Sequence, residues 1–223
     1  MAWGGLKQAI ASDPAGVATV LAVADSIPQT AERKAKPVSI RDELAWAIEM
    51  ESGWRPSATN PTTKATGLLQ FMPATAKTMG TTVDDLRVMS LSQQSLYVKR
   101  FFKMALAGGG VARVGDIILL MFMPADLHDG DYSVLFARDT AGWRQNPTYR
   151  DGKNGPITAG SVRAKGTPPP GIPDLSKLPL PGTGPGPGGR NDTPPPGPPA
   201  PPSGSGAGLG LLAVLLALGW SLK

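Results

Sequence analysis

A mainly α-helical domain, followed by a disordered Pro/Gly-rich linker and one C-terminal transmembrane helix, is the fold class the sequence predicts. Three observations predict it. Between Ser39 and Leu106 apolar residues recur at helical spacing behind good capping residues, while strand-like alternation is sustained nowhere. Fifteen of the 24 prolines fall between Pro168 and Pro202, so the first 165 residues keep an ordinary globular composition. Behind those prolines, the 203–222 stretch carries no charge and is dominated by Leu, Ala and Gly. The 223 residues therefore divide into an N-terminal helical segment (1–36), a helical domain (37–165), a linker (166–202) and an anchor (203–223).

In chain order, the apolar 15–24 stretch reads as an amphipathic helix with Val17, Val20, Leu21 and Ala24 on one side and Pro14 at its first position. It does not read as a cleaved signal peptide, because Lys7 is its only basic lead and Asp13 intervenes. Ser39, with Asp42 and Glu43 in the first turn, caps a helix whose Ile40, Leu44, Ala47, Ile48 and Glu51 share a face. Pro73 opens a short helix over 74–79, and Thr82 to Asp85 reads as the start of another. A longer helix spans 91–106 with Val98, Phe101 and Phe102 inward. The 115–123 run (GDIILLMFM) is buried, as strand or helix. The 167–202 stretch can neither donate regular backbone hydrogen bonds nor bury apolar area, and reads as a linker, partly polyproline II. The 203–222 segment is just long enough to span a bilayer, with Trp220 at the headgroup boundary and Lys223 beyond.

Composition narrows the chemistry. With no Cys and a single histidine, His128, the chain has no disulfide framework, no Cys-ligated metal and no His-cluster centre, and a Ser–His or Cys–His triad is nearly excluded. No metal and no cofactor are expected. The net charge of +5 suits an anionic partner, but the basic residues are scattered and no nucleic-acid motif is present. Carboxylates, hydroxyls and amides remain.

Among the carboxylates, Glu51 stands out. It lies seven residues after Leu44 and three after Ile48, on the apolar face and at the C-terminal end of its helix. Partial desolvation and the negative end of the helix dipole both oppose ionisation, the setting in which Glu can donate a proton at neutral pH. Position alone also fits a solvated Glu at a helix end.

Sequence context favours the first reading. Glu51-Ser52-Gly53-Trp54-Arg55-Pro56, then Asn60-Pro61, then Gly67-Leu68-Leu69-Gln70-Phe71-Met72-Pro73 with Thr75-Ala76 resembles the soluble lytic transglycosylase family, relatives of goose-type lysozyme, in order and approximate spacing. The resemblance covers about residues 39–106. It implies a lysozyme-like fold cutting the β-1,4 bond between N-acetylmuramic acid and N-acetylglucosamine of peptidoglycan, with Glu51 as catalytic acid. Ser52 would orient or hydrogen-bond Glu51, and Gly67 and Gln70 would line the glycan groove. For Phe71 and Met72, core packing and substrate contact are both open.

Two departures mark the chain. Many members carry an A-Y-N-A-G element whose Tyr and Asn face the acid; here Leu120-Met121-Phe122-Met123-Pro124 stands in its place, which resembles the phage-encoded branch. The 146–162 stretch is similar to the tail of those phage enzymes, where a calcium-loop-like sequence follows an N-P pair. Arg150 and Gly152 here occupy the first and third ligand positions, so no EF-hand-type site is expected. The expectation is a membrane-anchored lytic transglycosylase associated with a phage particle, acting on the host wall during genome entry, with virion proteins as possible partners. The rivals are a lysozyme-type hydrolase using Asp84 or Asp85 as second acid, and a non-catalytic peptidoglycan-binding or structural virion protein.

Overall fold

The computed structural model describes residues 2–107 and 109–180. The rest of the expected linker and the expected transmembrane helix lie outside them. Among the described residues, no helix is long and apolar enough to cross a membrane.

The described chain is mainly α-helical. The N-terminal amphipathic stretch forms α1 (Gly4–Ser12) and α2 (Pro14–Leu21), then a 3-10 turn at Ala22–Ser26. The break falls where Pro14 has no N–H to donate and Asp13 leaves the helical region (φ −148°, ψ 69°), its Oδ1 accepting from Gly16 N at 2.8 Å. Short α3 (Ala31–Lys34) leads to α4 (Ile40–Ser52), α5 (Pro73–Thr78), α6 (Val83–Val88) and α7 (Leu91–Leu106). The ambiguous 115–123 run is helical, as α8 (Asp116–Phe122), and α9 (Ala141–Gln145) and α10 (Ala159–Gly166) follow.

Two short strands correct the reading of an almost strand-free chain. β1 (Val134–Phe136) pairs antiparallel with β2 (Ile157–Thr158). Three and two residues are too few for alternation to register in a sequence.

One hydrophobic cluster unites the molecule. Leu6 of α1 and Val17, Val20 and Leu21 of α2 share it with Leu44 and Ile48 of α4, Val98 and Phe102 of α7, and Ile117 and Leu120 of α8. Residues 2–36 thus share one core with the helices that follow. Helix α2 packs on α7, and α10 on α8.

Two buried ionic groups fix the frame. Arg163 Nε donates to Asp116 Oδ1 at 2.7 Å, while its other nitrogens reach Asp131 Oδ1 at 2.6 Å, Leu127 O at 2.8 Å and Asp129 O at 3.1 Å. Arg33 pairs with Glu43 in the interior and donates to Val38 O at 2.7 Å. Both pairs lie where a lone charge would be costly.

The segment after α10 stays on the domain to the end of the described chain. Leu175 is buried and Ile172 and Leu178 pack beside it, so three aliphatics spaced by three residues dock a stretch rich in proline.

Candidate active site

The candidate acid sits on a helix whose two ends are specified by local chemistry. At the start of α4, Ser39 Oγ accepts from Asp42 N at 3.1 Å and Asp42 Oδ2 accepts from Ser39 N at 3.1 Å, a complete capping box. At its end Gly53 takes a left-handed conformation (φ 57°), Arg55 Nε donates to Ser52 O at 3.0 Å, and the buried Trp54 folds back to donate its indole N–H to Ala45 O at 3.3 Å. The Gly-Trp-Arg run after Glu51 is therefore a helix stop that satisfies orphan carbonyls and fixes the last turn.

Glu51 keeps part of its residue surface, but its carboxyl group lies among protein atoms. Burial alone pushes that carboxyl up to about 8. It is thus protonated at neutral pH and available as a proton donor.

A residue far along the chain senses the Glu51 charge, and it sits in an aromatic group. The Phe122 ring, at the end of α8, lies 4.7 Å from Tyr149 and 5.9 Å from Phe136 of β1 between ring centroids. Tyr149 is the residue that answers Glu51: its phenol is pushed well above the ordinary tyrosine range, first by burial and then by the Glu51 charge. It therefore stays a neutral donor throughout the working pH range.

A small scaffold presents Tyr149. Trp143 Nε1 donates to Gly155 O at 2.7 Å, and the Arg150 guanidinium lies 3.4 Å above the Trp143 ring while donating to Trp143 O. Ser161 Oγ donates to Tyr149 O at 2.6 Å. Arg150, at the first position of the calcium-loop-like stretch, is thus a cation stacked on an indole. Among the described residues, no group of three or more metal-ligating side chains gathers.

The motif loop between Pro56 and Pro73 is tied down by one residue that sequence reasoning missed. Gln94, fully buried on α7, accepts from Leu68 N at 2.9 Å and donates to Pro56 O at 2.7 Å and Leu86 O at 2.6 Å. Gly67 (φ 89°) passes so close that a Cβ there would stand 2.7 Å from Gln94 Oε1. Asn60 Oδ1 accepts from Thr62 N and Thr63 N, so the Asn-Pro pair is turn chemistry.

The other sequence-named residues fall into clear places. Ser52 is buried and its hydroxyl donates to Ile48 O at 3.1 Å, within its own helix rather than to Glu51. Gln70, in a left-handed conformation, donates both amide hydrogens to Ala58 O and Gly67 O. Only acceptor oxygens of these two remain for a ligand. Phe71 is buried against Phe101, at 5.7 Å between ring centroids, and is core. Asp85 caps α6, accepting from Thr82 Oγ1 at 2.7 Å, and the exposed Asp84 pairs with Arg87 at 2.7 Å. Both serve the helix start.

A largely buried glutamic acid at the end of an E-S-G-W helix, followed by a G-L-x-Q-F loop, is the arrangement that a comparison with known families bears on. Residues 28–96 match the Transglycosylase SLT domain. The match takes in Glu51, the whole motif loop and Gln94, and supports a lytic-transglycosylase relationship for that part of the chain. It stops short of Phe122, Phe136 and Tyr149, so the matched segment holds Glu51 while the aromatic group that includes Tyr149 lies beyond it. No curated protein and no solved structure matched the chain.

Proposed function

We propose that the protein is a peptidoglycan lytic transglycosylase in which Glu51 works as general acid and then general base. The observation that carries this reading is the burial of the Glu51 carboxyl, which keeps it protonated up to about pH 8, within a segment matching the Transglycosylase SLT domain. Glu51 gives its proton to the bridging oxygen as the bond to the muramoyl anomeric carbon breaks. The resulting carboxylate takes the proton of the muramoyl 6-hydroxyl as that oxygen bonds to the same carbon. No water enters, and the product carries a 1,6-anhydro ring.

An inverting or retaining hydrolase needs a second carboxylate, for water or as nucleophile. The candidates Asp84 and Asp85 are committed to α6, and Glu49 binds backbone N–H groups of α1. The 6-hydroxyl needs no such help, because attachment to the reacting ring gives it a large effective molarity. Phe122 and Tyr149 close the opposite side, and the phenol donates to the carboxylate once Glu51 has lost its proton. Gly67 shapes the groove wall, with the Gln70 and Ser52 oxygens as acceptors.

Mass spectrometry of digested peptidoglycan, with and without borohydride, tests this. Ends lighter by one water and resistant to reduction are expected. Predominantly reducible ends would make the enzyme a hydrolase.

We also assign the uncharged 203–222 segment to a membrane anchor and the protein to a phage particle. Composition supports the first, and the resemblance of the 120–124 and 146–162 stretches to phage enzymes supports the second. The full chain should float with lipid vesicles, while a chain ending at Leu180, which keeps Leu175 and Leu178 packed, should stay in the aqueous phase. Equal flotation of the two chains, or none for the full chain, would remove the anchor.

A further inference from the structure

The N-terminal turn lies outside the segment matching the SLT domain, yet it touches the helix end that carries Glu51 on both sides of that residue. Glu49 accepts from Gly5 N at 2.9 Å through Oε1 and from Leu6 N at 2.7 Å through Oε2, occupying the amide end of α1. Four residues on, Gly53 lies so close to Gly5 that a Cβ on Gly5 would stand 2.3 Å from Gly53 O and 2.9 Å from Gly53 Cα. One turn earlier, the buried Trp3 ring meets Trp46 at 5.1 Å between centroids, and Trp46 Nε1 donates to Lys165 O at 2.9 Å.

Trp46, Glu49 and Gly53 form one stripe along α4, at spacings of three and four residues. Glu51 falls on the other side, in line with Leu44 and Ile48. The turn thus grips the back of the helix end, opposite the face that carries Glu51, whose charge reaches Tyr149.

We propose that Gly5 and Glu49 are positioning residues for catalysis: through them the Trp3–Leu6 turn clamps the last turn of α4 from behind and holds Glu51 in its dry setting. This rests on the reading of Glu51 as the acid. The last turn of a helix lacks partners further along the helix; the Gly53–Arg55 stop supplies partners for Glu49 O and Ser52 O, and the turn at Gly5 adds a hold from behind. A displacement of about 1 Å at a reacting group costs on the order of 10²-fold in rate. Glycine at position 5 is what lets the two backbones approach so closely.

Three variants test the clamp. Alanine is the better helix former, so Gly5→Ala favours α1 itself and acts against the protein only through its collision with Gly53. Gly4→Ala adds the same methyl group one residue earlier, where no atom lies within 4 Å, and serves as control. Glu49→Gln keeps the side-chain volume but leaves one of the two N–H groups without its acceptor.

Two quantities are read: turnover of purified peptidoglycan per folded molecule, with the folded fraction taken from circular dichroism, and the titration midpoint of the labelled Glu51 carboxyl by NMR. Gly5→Ala should lower turnover about 10- to 100-fold at little change in KM. Its Glu51 midpoint should move down toward the ordinary carboxylate range as water reaches the group. Glu49→Gln should shift both in the same direction by less, and Gly4→Ala should match wild type.

The clamp is overturned if Gly5→Ala and Glu49→Gln fold with wild-type turnover and an unmoved midpoint, or if turnover falls only in step with the folded fraction. Should Gly5→Ala not fold, Glu49→Gln decides alone. The NMR midpoint does not depend on activity, so it judges the clamp even if Glu51→Gln were fully active, an outcome that would instead refute the assignment of the acid.

Discussion

In Glu51→Gln, turnover of purified peptidoglycan is expected to fall at least ~10²-fold, the usual scale for losing a general acid. Glutamine keeps the volume and hydrogen-bonding capacity of the side chain but has no proton to give. The same variant should melt higher than wild type at alkaline pH. Burial raises the Glu51 carboxyl from 4.5 to about 8, so the folded state holds a proton that the unfolded chain releases. The stability tied to that proton is fully present below about pH 4.5 and is lost as pH rises to about 8. At about 1.4 kcal/mol per pH unit the loss reaches a few kcal/mol, or on the order of 5–10 °C in Tm. The amide of Glu51→Gln has no such titration. Differential scanning calorimetry at pH 4 and pH 9 should show the two proteins alike at the first and separated at the second. Wild-type activity should fall above about pH 8, as the acid loses its proton. Full activity in the variant, or equal melting at both pH values, would reject the role given to this group.

Tyr149→Phe should lower kcat about 10- to 10²-fold. A hydrogen bond to a charged group is worth roughly 1.5–3 kcal/mol, and each ~1.4 kcal/mol in the barrier is tenfold in rate. Phenylalanine retains the ring against Phe122 and removes only the hydroxyl, the group on which the Glu51 charge acts. KM should change little, because the donor is needed once Glu51 becomes a carboxylate. The pH profile carries the sign. A donor to the charged form lowers a carboxyl pKa, so its removal moves the alkaline limb of kcat to higher pH, opposite to the shift expected when water reaches Glu51 through a loosened clamp. An unchanged kcat, or a limb moved to lower pH, would show that the phenol does not serve the carboxylate.

Local chemistry in the sequence determined much of this protein. The Ser39 capping box, the Pro73 helix start, the Thr82–Asp85 cap and the limits of α7 were legible because each depends on residues within a turn of one another. The position of Glu51 on the apolar face, at the C-terminal end of its helix, was legible from helical periodicity. The anchor and most of the linker are readings of composition that fall outside the described residues. Tertiary structure alone decided what surrounds the acid. Tyr149 follows Glu51 by 98 residues and comes within reach of its charge only in the folded chain, where it packs on Phe122 of α8 beside the Trp143–Arg150 stack. Gln94 left one trace, a polar residue in the stripe of Leu91, Val98 and Phe101, but its backbone partners lie at Pro56 and Leu68 of the motif loop and at Leu86 of α6. Gly5 left none. Its need for a bare Cα arises from the approach of Gly53, 48 residues away. Helix caps and periodicity are encoded within a few residues, whereas desolvation, a facing phenol and a backbone clamp exist only once the packed core brings distant segments together.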